Sequence, residues 1–173
     1  MVHQITINAP ATLVYEQLLL LDFNEVWVVR FLESLRTGKT PKRSSSNDLR
    51  CSLQGTGFVV LAEIPNQELV MGIAGRFWRL DGGRCMSLTA KDFPEFTRPG
   101  YAKVAWGFSL RSASPNKTIL STETRTKCFG STAKLKFRIY WSLIYPFAGL
   151  IRKAILRRIK KRAESAESHL HPQ

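Results

Sequence analysis

The sequence predicts an α+β fold in a single domain over residues 1–173: a curved antiparallel β-sheet of six or seven strands around a long C-terminal helix, with two short helices after the first strand. Three observations carry this. An alternating stretch opens the chain and helical periodicity follows it at once. Aliphatic or alternating segments, separated by turn residues, fill the middle. The stretch "SLIYPFAGLIRKAILRRIKKRAES", residues 142–165, then places apolar residues on a helical rhythm with basic ones between them.

In "HQITINAP", Ile5 and Ile7 alternate with polar neighbours, as in a half-buried strand. Asn8 and Pro10 read as the entry to a helix over "ATLVYEQLLLLD", with Leu13, Val14, Gln17, Leu18 and Leu21 on one side. A second helical run, "NEVWVVRFLESLRTG", sets Val26, Val29, Leu32 and Leu35 on adjacent turns and stops at Gly38. Residues 39–56 change texture: their serines, proline and glycines predict a flexible loop, with no domain boundary.

"FVVLAEI", the turn "PNQE" and "LVMGIAGRFW" predict a hairpin. The glycines of the last segment sit inside a strand pattern, which favours a bulge or bend over a phosphate-binding loop. "CMSLTAKDF" is a weaker strand, followed by the loop "PEFTRPG". "YAKVAWGFSLRS" sends Val104, Trp106, Phe108 and Leu110 to one face, and the threonine-rich "TILSTETRTKCF" pairs with it across "ASPNK".

Ser131 is the expected cap of a helix running to about Ser165, bent at Pro146, with residues 166–173 as a disordered tail. Tyr140, Ile144, Phe147, Ile151 and Ile155 form its apolar stripe. At 1.5 Å per residue such a helix is about 45–50 Å long, more than one small domain's width. The expectation is that its first half grips the sheet and its basic second half overhangs. A curved sheet around one helix leaves room between them for an apolar cavity.

Composition narrows the function classes. Hydrophobic residues make up 44% and charged residues 23%, proportions of a folded chain rather than a disordered one. The net charge of +13 attracts anionic partners without choosing between lipid surface, nucleic acid and acidic small molecule. Cys51, Cys85 and Cys128 are odd in number and lack metal-ligand spacing, so reduced thiols and a cytoplasmic setting are expected. The opening "MVHQITINAP" lacks the pattern of a secretion signal, and no uncharged run reaches the roughly 20 residues that span a bilayer. Nothing in the sequence asks for a metal or a cofactor.

The segments 58–78, 93–110, "STETRTKCFG" (121–130) and 137–164 together resemble the START-like superfamily, also called SRPBCC, shared by birch-pollen-allergen-type proteins and polyketide cyclases. Within it the chain is similar to a branch of small, largely uncharacterised bacterial proteins. The resemblance covers most of residues 57–164. It implies a helix-grip fold and a hydrophobic ligand pocket, and it implies no fixed catalytic set.

Trp78, Trp106 and Phe108 on expected strands, with Tyr140, Ile144, Phe147 and Ile151 on the helix, are the candidate apolar walls of such a pocket. Glu123 and Arg125 lie two apart on one strand and share a face. Facing a cavity, Arg125 would hold an anionic head group; facing solvent, the two make an ion pair of small consequence, which is the cheaper reading. Glu63 and Glu68 sit either side of a turn, and hairpin solvation explains them more simply than acid–base chemistry. With no histidine beside these carboxylates, a binder outranks an enzyme.

Arg152, Lys153, Arg157, Arg158, Lys160, Lys161 and Arg162 form the basic run. It reads as a surface for anionic membranes, as a phosphate-neutralising stripe, or as the solvated face of a helix lid. No aromatic platforms interleave with it and no nucleic-acid motif accompanies it, which argues against nucleic acid. The resulting expectation is carriage of a hydrophobic or amphipathic small molecule, lipid-like or polyketide-like, with association to anionic membrane surfaces. The alternatives are a cyclase- or hydrolase-like enzyme and a basic nucleic-acid module; ligand identity and oligomeric state stay open.

Overall fold

Alternation along five segments is resolved into one antiparallel sheet. The computed structural model describes residues 2–21, 57–79 and 88–170. Strands β1 (Val2–Ile7), β2 (Val59–Ile64), β3 (Glu68–Gly75), β4 (Ala102–Ser114) and β5 (Lys117–Cys128) stand in the order β1-β5-β4-β3-β2. Consecutive strands therefore form a meander, and β1 closes onto the far side of β5. Helix α1 (Ala11–Leu19) follows β1, and α2 (Ser131–Leu170) ends the described chain. The sheet and terminal helix make the helix-grip arrangement that the START-like resemblance implies.

The inner face carries Leu69 and Met71 of β3, Trp106 and Phe108 of β4, and Leu120, Thr122 and Thr124 of β5. Register aligns Met71 with Trp106 and Trp106 with Thr124, while Leu69 aligns with Phe108 and Phe108 with Thr122. The hydroxyls on this face have partners. Thr118 Oγ1 donates to the Ala9 carbonyl at 2.8 Å, and Thr122 Oγ1 donates to Gly107 O at 3.0 Å while accepting from Trp106 Nε1 at 2.7 Å. Satisfied in this way, threonines are buried at little cost.

Packed against this face are Val14 and Leu18 of α1 and Ile155, Leu156, Ile159 and Ala163 of α2. Truncating a fully buried isoleucine such as Ile155 costs about 2–5 kcal/mol. The sheet is therefore gripped by the second, basic half of α2. The expectation that the first half grips and the second overhangs is reversed, because Lys153, Arg157 and Lys161 take the outward side of that half and leave Ile155, Ile159 and Ala163 to the core.

Glycine and proline fix several local details. Asn66 adopts φ 62 in the turn between β2 and β3, and Gln67 N donates to Ile64 O at 3.0 Å. The β2–β3 register shifts between Val60 and Ala62, so the bulge lies opposite the glycine-bearing strand rather than in it. A Cβ at Gly72 would stand 2.7 Å from both Leu61 Cδ1 and Phe93 Cε2, so this glycine admits close packing over the outer face. Gly130 takes φ 92 and immediately precedes α2, so Ser131 is the first helical residue rather than its cap. The helix continues through Pro146, whose missing N–H falls at an exposed turn. It also continues past Ser165 to Leu170, so residues 166–170 are helix rather than tail.

Several expectations lie outside the described residues: the second short helix, the loop 39–56, Cys51 and Cys85. Five strands are described against six or seven expected. Of "CMSLTAKDF", residues 88–93 form no strand and 85–87 are not described.

Candidate functional site

Between the inner face of the sheet and the middle of α2 lies a cavity of about 190 Å³. Its sheet side is made by Val104 and Trp106 of β4 and Thr124 of β5, with Phe58 just before β2. Its helix side is made by Trp141, Ala148, Ile151 and Arg152. The spacing 141, 148, 151, 152 keeps these four on one side of the helix. Strand alternation does the same for Val104 and Trp106.

Arg152 gives the cavity its chemistry. It is only 6% exposed. Nη1 donates to the Ala148 carbonyl at 3.0 Å, one turn back, and Nη2 donates to Thr124 Oγ1 at 2.8 Å. The guanidinium stands 6.0 Å from the Trp141 ring centroid, at the outer limit of a cation–π contact. Burial lowers its pKa from the ordinary arginine value, yet so strong a base keeps its proton. Among the described lining residues, a cation and one hydroxyl thus meet six aromatic or aliphatic side chains, an arrangement suited to an amphipathic guest.

Trp106 is held in place rather than free to swing. Its indole N–H donates to Thr122, and its ring lies 5.2 Å from Phe108 at 41°. Nearby on β1, His3 packs on the glycine step of α2, where a Cβ at Gly149 would be 3.9 Å from Nε2. That nitrogen is buried without a hydrogen-bond partner. Desolvation, then the positive charges of Arg152, Lys153 and the amino terminus, hold the imidazole pKa below its ordinary value.

Of the expected pocket residues, Trp106 and Ile151 line the cavity. Phe108 is fully buried in the core behind Trp106, and Tyr140, Ile144 and Phe147 are half-buried on α2 without lining it. Trp78 lies in a turn beyond the end of β3, not on a strand. Glu123 and Arg125 point to the outer face, because the threonines between and beside them take the inner one. The Arg125 Nε and Nη2 donate to the two Glu123 oxygens at 3.0 and 2.9 Å, with the side chains 79% and 41% exposed. Arg125 holds the Glu123 carboxyl below its usual pKa, as expected of a solvated pair. Glu63 does face inward, where it accepts a 2.5 Å hydrogen bond from Tyr15 of α1, apart from the cavity lining.

The basic run also divides. Arg152 is buried. Lys160 donates to Thr6 O at 2.8 Å and sits 3.4 Å from Glu164, while Arg162 Nη1 donates to Leu20 O at 3.2 Å. These two tie the second half of α2 to β1 and to the end of α1. Arg158 is half-buried. Lys153, Arg157 and Lys161 are exposed. A larger hollow of about 390 Å³ runs along Arg157, Lys160, Lys161 and Ser168, but its described lining comes from α2 alone and lacks an apolar wall.

Sequence reasoning missed Phe58, Val104, Thr124, Trp141, Ala148 and Arg152 as lining residues. Arg152 had a visible signal: it falls at spacings of four and three between Ala148 and Ile155, inside the buried stripe.

No family model matches the chain, and no curated protein matches it significantly. Among solved structures, a conserved protein from Geobacillus kaustophilus is similar at 12% identity and a TM-score of 0.47, over 96% of this chain and 95% of that one. The Zhui aromatase/cyclase from Streptomyces sp. R1128 is 12% identical at a TM-score of 0.35, with 96% of each chain covered. The di-domain ARO/CYC StfQ of the steffimycin biosynthetic pathway aligns at 12% identity and a TM-score of 0.32, over 97% of this chain and 46% of its own.

Proposed function

We propose that the protein binds a small amphipathic organic molecule between its sheet and terminal helix, holding an anionic or acceptor group at Arg152 and an apolar body against Trp106, Trp141 and Ile151. The observation that supports this most is the burial of Arg152 in the wall of an otherwise apolar space. A charged side chain is rarely placed there for stability, since apolar replacements often do as well or better. Charge-assisted bonds to a carboxylate give it a purpose.

Size restricts the guest. A cavity near 150 Å³ lined by hydrocarbon accepts a benzene ring. The 190 Å³ present therefore suits one ring or a short chain, and falls below the roughly 300 Å³ at which pockets for drug-sized ligands begin. A lipid-like or polyketide-like guest of several rings would require α2 to move away from the sheet.

Binding is favoured over catalysis because the polar groups do not converge. Glu63 is engaged by Tyr15 away from the cavity, and Glu123 with Arg125 lies on the opposite face of the sheet. Native mass spectrometry of freshly purified protein tests the reading. The expected result is an adduct of small mass that is recovered on extraction and lost from Arg152→Met. Protein that carries no adduct and acquires none from small aromatic carboxylates would contradict it.

A further inference from the structure

The outward face of α2 carries one continuous row, Leu135, Ile139, Leu143, Pro146, Leu150, Lys153, Arg157 and Lys161, at spacings of four, four, three, four, three, four and four. These spacings keep the row on a single side of the helix, opposite the buried Ala148, Ile155 and Ile159. The row changes character at its middle. Its first part is apolar and exposed, with Ile139 at 66% and Leu143 at 76%, and its second part is cationic and exposed. The apolar part, from 135 to 150, is about 22 Å long. From Ser131 to Ala163 the helix has no acidic residue.

We propose that this face of α2 lies in the interfacial layer of an anionic lipid bilayer, with Leu135, Ile139, Leu143 and Leu150 entering the acyl boundary and Lys153, Arg157 and Lys161 meeting head groups. Charge complementarity selects this occupant. Lys136 and Arg138, both exposed, flank the apolar row with charge of the same sign. A partner covering the whole row must offer apolar depth at one end and dense negative charge throughout, which an anionic membrane does. A second copy of the chain would bury the leucines but bring like charge to the same seam. No described helix is both long and apolar enough to cross a membrane, so α2 lies on the bilayer rather than through it. This surface differs from the one expected from the basic run alone, since Arg152, Lys160 and Arg162 face the fold. It also faces away from the cavity, so it stands without the small-molecule reading.

Co-sedimentation of the full chain with vesicles tests it, using phosphatidylcholine alone and an equimolar mixture of phosphatidylcholine and phosphatidylglycerol. The wild type is expected to pellet with the mixed vesicles and not with the neutral ones. The double variant Ile139→Ser/Leu143→Ser alters only exposed side chains, so its circular dichroism and melting are unchanged while its vesicle partition falls roughly tenfold or more. The triple variant Lys153→Gln/Arg157→Gln/Lys161→Gln loses binding by a similar factor at low salt and flattens the salt dependence. Equal pelleting with both vesicle types overturns the proposal. So does serine-variant binding equal to wild type, which would mean charge adsorption without insertion. A wild-type dimer that the serine variant converts to monomer, seen by light scattering, would assign the row to a second copy instead. Each result is independent of whether native mass spectrometry finds a ligand in the cavity.

Discussion

Arg152 Nη2 donates to Thr124 Oγ1 at 2.8 Å and so joins the middle of α2 to β5 at the cavity wall. The bond fixes where a buried positive charge points.

Replacing that charge separates stability from binding. Arg152→Met keeps the volume and removes the desolvated cation, so the melting temperature should hold or rise. Affinity for a small aromatic carboxylate, read by tryptophan fluorescence, should fall roughly tenfold to a hundredfold, the worth of charge-assisted hydrogen bonds. A variant that melts much lower yet binds unchanged would make Arg152 a structural residue only.

The outer face makes a separate prediction at Gly72. An added Cβ meets Leu61 and Phe93 at 2.7 Å, and Lys103 pins the Phe93 segment by donating to Phe93 O at 2.9 Å and Pro94 O at 2.7 Å. Gly72→Ala should therefore cost about 1–3 kcal/mol in denaturant unfolding. The pair Gly72→Ala/Phe93→Leu should recover part of it. Unaltered stability of the single variant would show that the outer layer yields.

His3 predicts a pH dependence whose sign follows from its surroundings. Desolvation and neighbouring positive charge hold its folded pKa below the ordinary 6.5, so the unfolded chain binds the proton more readily. The associated stability is fully present above the unfolded value, declines as pH falls through it, and levels off below the folded value. Melting temperatures measured from about pH 8 to about pH 5 should fall in the wild type. In His3→Gln the His3 contribution to that slope should vanish. A wild type whose melting rises on acidification would reverse the sign.

Much of the fold was legible because periodicity is a property of the chain itself. Ile5 and Ile7, the hairpin at Pro65 and Asn66, and the alternation of Trp106 and Phe108 all stand where the pattern put them. The site was harder to read. β5 offers threonines on one face and charges on the other, and neither looks apolar. The inner face is decided by tertiary partners, Ala9 O, Gly107 O and Arg152, that no local pattern contains. Helix α2 is apolar nearly all round between Ile139 and Ile151, so the stripe through Tyr140, Ile144 and Phe147 runs one residue off the true lining of Trp141, Ala148 and Arg152. The basic run concealed the rest, since composition gives Arg152 and Lys153 the same weight while helical angle sends one inward and the other outward.

The most direct test is a titration of isotopically labelled protein with benzoate, following the indole N–H resonances of Trp106 and Trp141 by nuclear magnetic resonance. Both should shift together and saturate, with Trp78 unmoved, and the shifts should disappear in Arg152→Met. If the two cavity tryptophans stay still while outer-face signals near Arg125 move, the guest binds elsewhere and the space beneath α2 is not a binding site.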